Sequence, residues 1–135
     1  MRLPTAIGDT SIHPDLGAYR ADAPAAVMLG RFDGVHLGHQ ALLRATLASA
    51  AGLPRGRALV ITFWPPPEWV LRPQSPQRLL TTLSDRVALL ADVGATDVIV
   101  WPFDRELAAL TPTEFLERLA VAVDMRILLT GPNAR

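Results

Sequence analysis

The chain has 135 residues, half of them hydrophobic, with 13 basic residues balanced by 13 acidic ones and no cysteine. That length fits one domain with a real core, and the lack of cysteine excludes disulfides, thiolate metal sites and cysteine nucleophiles, so a reduced, cytoplasmic setting is expected. No apolar run approaches the roughly 20 residues of a membrane span, no secretory pattern opens the chain, and no basic stripe marks a nucleic-acid face, so neither membrane nor nucleic acid is an expected partner.

Residues 1–24, rich in Pro, Gly, Asp and Ala, read as a lead-in with one short strand, and His13 within it reads as a surface loop side chain. The continuous apolar run Ala25 to Leu29 predicts a strand buried on both faces. A helix follows from near Leu37, with Leu42, Leu43, Leu47 and Ala50 on one stripe, and Gly52 and Pro54 stop it. A second strand spans Ala58 to Phe63 and ends at Trp64-Pro65-Pro66-Pro67, where missing N–H groups and fixed φ oppose continuation as strand or helix. Residues 68–81 read as irregular.

Thr82-Leu83-Ser84-Asp85 has capping-box spacing, and Val87, Leu89, Leu90 and Val93 predict a helix that stops at Gly94. A third strand covers Asp97 to Trp101, and a short helix covers Asp104 to Leu110. Thr111-Pro112-Thr113-Glu114 opens another helix whose buried side is Phe115, Leu116, Leu119 and Val123. The last strand is Arg126 to Thr130. Strands alternating with helices over four rounds predict an α/β domain with a parallel sheet of about four strands. In such sheets ligands bind beyond the carboxyl ends of the strands, where strand order reverses.

The turn after the first strand carries the densest chemistry. Gly30 and Gly34 form it, and His36 and His39 sit three apart at the first helical turn, with Gly38 between them leaving the backbone open to a ligand. A helix N-terminus presents unpaired N–H groups and partial positive charge, so histidines there point to a phosphate seat. All 13 basic residues are arginine, so no Walker-type lysine can serve. A metal site is the competing reading, with Asp33 as a third ligand beside two histidines, a poor zinc set. Asp33 equally suits a turn or cap role. Trp64 and Trp69 could stack on a ligand or cover the core, and Arg105 and Glu106 suit support of the fold.

The segment Gly30-Arg31-Phe32-Asp33-Gly34-Val35-His36-Leu37-Gly38-His39-Gln40 resembles the nucleotide-binding signature of the bacterial bifunctional riboflavin kinase and FMN adenylyltransferase, or FAD synthetase, of the histidine-x-glycine-histidine nucleotidyltransferases. The likeness extends in order and spacing. Thr62 to Pro67 resembles the family's Thr-Phe-x-Pro-His-Pro turn, and Arg78 to Leu83 its Arg-Leu-x-Thr segment. Pro102 to Leu107 resembles its Phe-x-Arg-Glu-Leu segment, and Thr130 to Asn133 the start of its Val-Gly-x-Asn/Asp-Phe motif.

The resemblance implies a Rossmann-like nucleotidyltransferase domain over residues 1–135, with 1–24 as lead-in. It implies transfer of AMP from ATP to FMN, giving FAD and pyrophosphate, with Mg²⁺ accompanying ATP. By the same resemblance His36 and His39 are the catalytic pair at the α-phosphate. Gly30, Arg31, Phe32, Asp33 and Gly38 form the nucleotide site, and Thr62, Phe63, Pro67 and Asn133 the flavin side. No residue is assigned to a metal.

Two positions depart from the pattern: Arg31 replaces the usual Asn, and Pro66 replaces the His between prolines. The chain also stops at the Asn/Asp motif, before a Ser-Ser/Thr-Thr-x-x-Arg segment and the riboflavin kinase domain. The expectation is therefore a domain incomplete at its C-terminus, with its last strand as an exposed edge open to self-association and with impaired transfer. The alternative is a non-catalytic nucleotide- or flavin-binding remnant, or an interaction module of the same fold.

Overall fold

The computed structural model describes residues 3–30, 32, 37–74 and 82–130. Its centre is a six-stranded sheet of β1 (Ala6–Ile7), β2 (Thr10–His13), β3 (Ala25–Leu29), β4 (Arg57–Trp64), β5 (Asp97–Pro102) and β6 (Met125–Leu129), ordered β1-β2-β5-β4-β3-β6. Every neighbouring pair is parallel except β1 with β2. The helices are α1 (Leu37–Ala51), α2 (Pro67–Leu71), α3 (Leu83–Val93), α4 (Arg105–Ala108) and α5 (Pro112–Val123).

The four strands expected from apolar runs are present, and the lead-in adds β1 and β2. His13 is therefore not in a loop. It ends β2, opposite Ile99 of β5; one short strand is expected in the lead-in and two are present, and His13 falls within one because its side chain meets a buried charge instead of solvent.

The central strands are apolar on both faces because helices cover both. Met28, Val60 and Val98 pack with Leu43 of α1 and Leu83, Val87 and Leu90 of α3. Val27, Leu59, Ile61 and Ile99 pack on the other face with Leu119 and Val123 of α5.

The helices begin and end on the chemistry their caps provide. Thr82 Oγ1 accepts from Asp85 N at 3.1 Å, and α3 stops at Gly94, whose φ of 113° favours glycine. Thr111 and Glu114 close the complete capping box of α5. The stretch after the triple proline contains a helix where an irregular segment is expected. Pro67 is the first residue of α2, a position where its missing N–H costs no helical hydrogen bond. The remainder of that stretch, residues 75–81, lies outside the described residues.

From β3 the chain adds β4 and then β5 on one side, and returns through α5 to place β6 on the other. Strand order thus reverses at the β3/β6 pair, with the carboxyl end of β3 at the reversal. β6 is an edge strand. Among the described residues no helix is long and apolar enough to cross a membrane.

Candidate functional site

Beyond Leu29 the chain stays tied to β4, because Gly30 N donates to the Ile61 carbonyl at 3.1 Å. Phe32 then turns its ring back over Gly30. A Cβ at Gly30 would lie 2.8 Å from both Cε1 and Cζ of that ring, so glycine is what permits the approach. Phe32 has φ 54°, a left-handed conformation that costs a bulky residue about 1–3 kcal/mol. Burial offsets that cost: Phe32 is 3% exposed and belongs to the core cluster with Met28 and Leu43.

The Phe32 ring meets the His39 imidazole edge-on, with centroids 5.1 Å apart and planes at 90°. His39 is the third residue of α1 and half-exposed, and Gly38 before it is exposed. The buried phenyl ring thus orients an imidazole at the first turn of a helix, where backbone N–H groups also point outward. Arg31, Asp33 and His36 lie outside the described residues, as does Asn133.

The end of β4 forms a second wall. Thr62 is fully buried, and its hydroxyl accepts from Arg86 Nη1 of α3 at 3.4 Å. Arg86 is itself only 2% exposed, and its guanidinium carbon lies 5.9 Å from the centroid of the Trp64 ring. Trp64 is half-buried and meets Trp69 of α2 at 5.5 Å. Thr62 and Trp64 thus share the sheet face of α1 and His39. Phe63 points to the other face, where it packs with Trp101, Phe103 and Phe115. Pro67 opens α2, and Arg105 Nη2 donates to the Val70 carbonyl at 3.2 Å, which ties α4 to α2.

The structure therefore gathers Gly30, Phe32, Gly38 and His39 at the β3–α1 turn and sets Thr62 on the same face, with Phe63 across the sheet. Arg86 is missing from the sequence reading. Its signal was legible, since residue 86 falls within the stripe of Leu83, Val87 and Leu90, where a charge is out of place.

A second polar group sits at the amino-terminal ends of β4 and β5. Asp97, 1% exposed, accepts from Arg57 Nε and Nη2 at 3.0 and 2.6 Å on one oxygen, and pairs with His13 Nε2 at 3.0 Å through the other. The hydrogen bond to Asp97 raises the Arg57 pKa, so this guanidinium stays charged. A cleft of about 240 Å³ opens beside Tyr19, Arg57 and Asp97. It lies at the opposite end of the sheet from the β3–α1 turn.

A mostly parallel six-stranded α/β sheet with flanking helices defines a fold of the nucleotidyltransferase type. A solved chain named macrolide-efflux protein, from Streptococcus pneumoniae, shares it with a TM-score of 0.75 and 25% identity, over 90% of this chain and 41% of that one. The FAD synthetase family profile matches residues 19–135, and the chain belongs to that family.

Among curated relatives, it is 31% identical over 122 residues to a bifunctional riboflavin kinase/FMN adenylyltransferase of Bacillus subtilis, covering 88% of this chain and 38% of the relative. The protein of that name from Listeria monocytogenes is 33% identical, with the same two coverages. The one from Escherichia coli K12 is 36% identical over 79% of this chain and 34% of its own length. The chain thus spans between a third and two-fifths of the length of these relatives.

Proposed function

We propose that the chain carries an FMN adenylyltransferase site that transfers AMP from ATP to FMN. The observation that carries this reading is the Gly30–Phe32–His39 arrangement, in which an oriented imidazole stands at the first turn of α1 beside the point where strand order reverses. In the reaction an FMN phosphate oxygen attacks the α-phosphorus of ATP, the bond to the departing pyrophosphate breaks, and negative charge grows on the phosphoryl oxygens. Fixed donors suffice for such a displacement, and no covalent nucleophile is required.

In this reading His39 and the first-turn N–H groups of α1 stabilise that charge, and His36 is their partner. Gly30, Arg31, Phe32, Asp33 and Gly38 hold the nucleotide. Thr62, Pro67 and Asn133 shape the flavin side, Thr62 from beneath the surface, and Phe63 supports that end of β4 from the opposite face of the sheet. Mg²⁺ accompanying ATP would neutralise part of the phosphate charge.

Transfer by the 135-residue polypeptide is slow, since Pro66 offers no donor where the family resemblance expects a histidine, and Arg31 puts a long cation where it expects an asparagine. A cytoplasmic location belongs to the same reading. Incubating the chain with FMN, ATP and Mg²⁺ tests the reading. Slow FAD and pyrophosphate formation that disappears in His39→Ala supports it, whereas FAD formation that survives His39→Ala removes His39 from the mechanism.

A further inference from the structure

We propose that the cleft at the amino-terminal ends of β2, β4 and β5 is a second binding site, and that it takes a small zwitterion of the α-amino-acid type, with the carboxylate on Arg57 and the ammonium group on Asp22. The site stands apart from adenylyl transfer, since it opens at the other end of the sheet from the β3–α1 turn. Its volume of about 240 Å³ falls below the roughly 300–1,000 Å³ of pockets that enclose drug-sized ligands, so a nucleotide or a flavin is too large for it.

Arg57 is the anchor. Its Nε and Nη2 both donate to Asp97 Oδ2, at 3.0 and 2.6 Å, and Asp97 is fixed in turn by His13 Nε2 at 3.0 Å on its other oxygen. A guanidinium carries its N–H groups in a planar fork. With one N–H of Nε and one of Nη2 spent on Asp97, both N–H groups of Nη1 and the second of Nη2 remain. Together they form the edge that grips a carboxylate through parallel hydrogen bonds. That edge belongs to a side chain that is 39% exposed, lines the cleft and is already immobilised, so binding costs it little rotamer freedom. The hydrogen bond to Asp97 raises the Arg57 pKa, which keeps the cation charged.

The rest of the lining selects a zwitterion over a simple anion. Arg20 and Arg57 share the cleft with Asp22 and Asp97, so the formal charges balance and a free anion gains no net attraction. With Asp97 consumed by Arg57 and His13, the carboxylate left over is that of Asp22, which is exposed and makes no side-chain hydrogen bond among the described residues. It lies close enough to act electrostatically on both Arg57 and Tyr19. A ligand with an ammonium group next to its carboxylate satisfies Asp22 and Arg57 at once. Tyr19 closes the floor: it is 6% exposed, and its hydroxyl has no hydrogen-bond partner among the described residues. Buried polar groups are nearly always paired, and a carboxylate on Arg57 brings an acceptor beside this one.

The test titrates glycine, acetate and methylammonium separately into the full chain, follows the backbone amide resonances of Ser11, Tyr19 and Asp97, and uses thermal melts to verify that each variant folds. Glycine is expected to shift these resonances saturably, with acetate and methylammonium each weaker by about fivefold or more. Arg57→Lys keeps the charge but lacks the fork, and should lose glycine affinity by about the same factor. Asp22→Asn should erase the advantage of glycine over acetate. If Arg57→Lys does not fold, Asp22→Asn decides. Acetate binding as tightly as glycine, undiminished glycine binding in a folded Arg57→Lys protein, a glycine advantage that survives Asp22→Asn, or no saturable shift with any of the three probes overturns the proposal.

Discussion

Arg57 and Asp97 lock the amino-terminal ends of β4 and β5 together: two N–H groups of the guanidinium converge on one carboxylate oxygen, at 3.0 and 2.6 Å. Asp97 is almost wholly buried, while the Arg57 side chain is 39% exposed. Removing one partner of a fully buried pair costs about 3–5 kcal/mol, and solvent around Arg57 reduces that here to roughly 1–3 kcal/mol. Asp97→Asn should lower the thermal midpoint by several degrees, with less effect on ligand affinity because the lock lies at the far end of the sheet. A melt within a degree of wild type would show that the pair contributes nothing.

Tyr19 is buried beside this lock, and its hydroxyl finds no hydrogen-bond partner among the described residues. Burial, followed by the nearby Asp97 carboxylate, raises its pKa. Because folding favours the neutral phenol, that contribution is complete below the unfolded value near 10 and is lost as pH climbs through the folded value. Tyr19→Phe should leave neutral-pH stability unchanged or raise it slightly, and should flatten the loss of stability above about pH 10. Parallel melts of both proteins across the alkaline range check this, and identical profiles would contradict it.

The start of α5 responds at the acid end. Glu114 accepts from the Thr111 backbone N–H at 2.9 Å, and that bond, followed by the Thr111 side-chain bond, holds its carboxyl below the usual glutamate range. A depressed folded value means that stability is present above the unfolded pKa and lost as pH falls through the folded one. Thr111→Ala should cost about 1 kcal/mol at neutral pH. Glu114→Gln should remove this acid-dependent component, as read from melts between neutral and acidic pH, and an unchanged acid limb would contradict it.

Gly30 permits the Phe32 ring to fold back, so Gly30→Ala forces a methyl group against a buried aromatic. Overpacking of that kind costs about 1–3 kcal/mol. Displacement of Phe32 also frees the His39 ring it abuts. The expected result is a lower melting temperature together with weaker ATP binding, measured by calorimetry. Full ATP affinity in a destabilised Gly30→Ala protein would separate the ring contact from nucleotide recognition.

The central fold was legible because its signals are local. The apolar run Ala25 to Leu29, the Thr82 and Thr111 caps and the Gly94 stop each depend on a few adjacent residues, and each falls where the structure has it within a residue or two. One short strand in the lead-in was legible but its place was not, since Thr10, Ser11 and His13 acquire strand character only by docking beside β5 and a charge 84 residues away. α2 was missed because proline was weighed as a breaker when, at the first position, it starts a helix.

At the site, the β3–α1 turn could be read from glycine and histidine spacing. The way Phe32 folds over Gly30, and the way Arg86 reaches from α3 to Thr62 and Trp64, are tertiary facts. Phe63 shows the limit of adjacency, since neighbouring residues of a strand face opposite sides of the sheet.

The most direct test of the central claim is calorimetric titration of ATP with Mg²⁺, and separately of FMN, into the wild-type chain and His39→Ala. Wild type is expected to bind both substrates, with ATP affinity reduced about tenfold or more in His39→Ala and FMN affinity little changed. No heat from either substrate at about millimolar concentration in the wild-type protein, a limit set by the weakest affinity such a titration resolves, would contradict it.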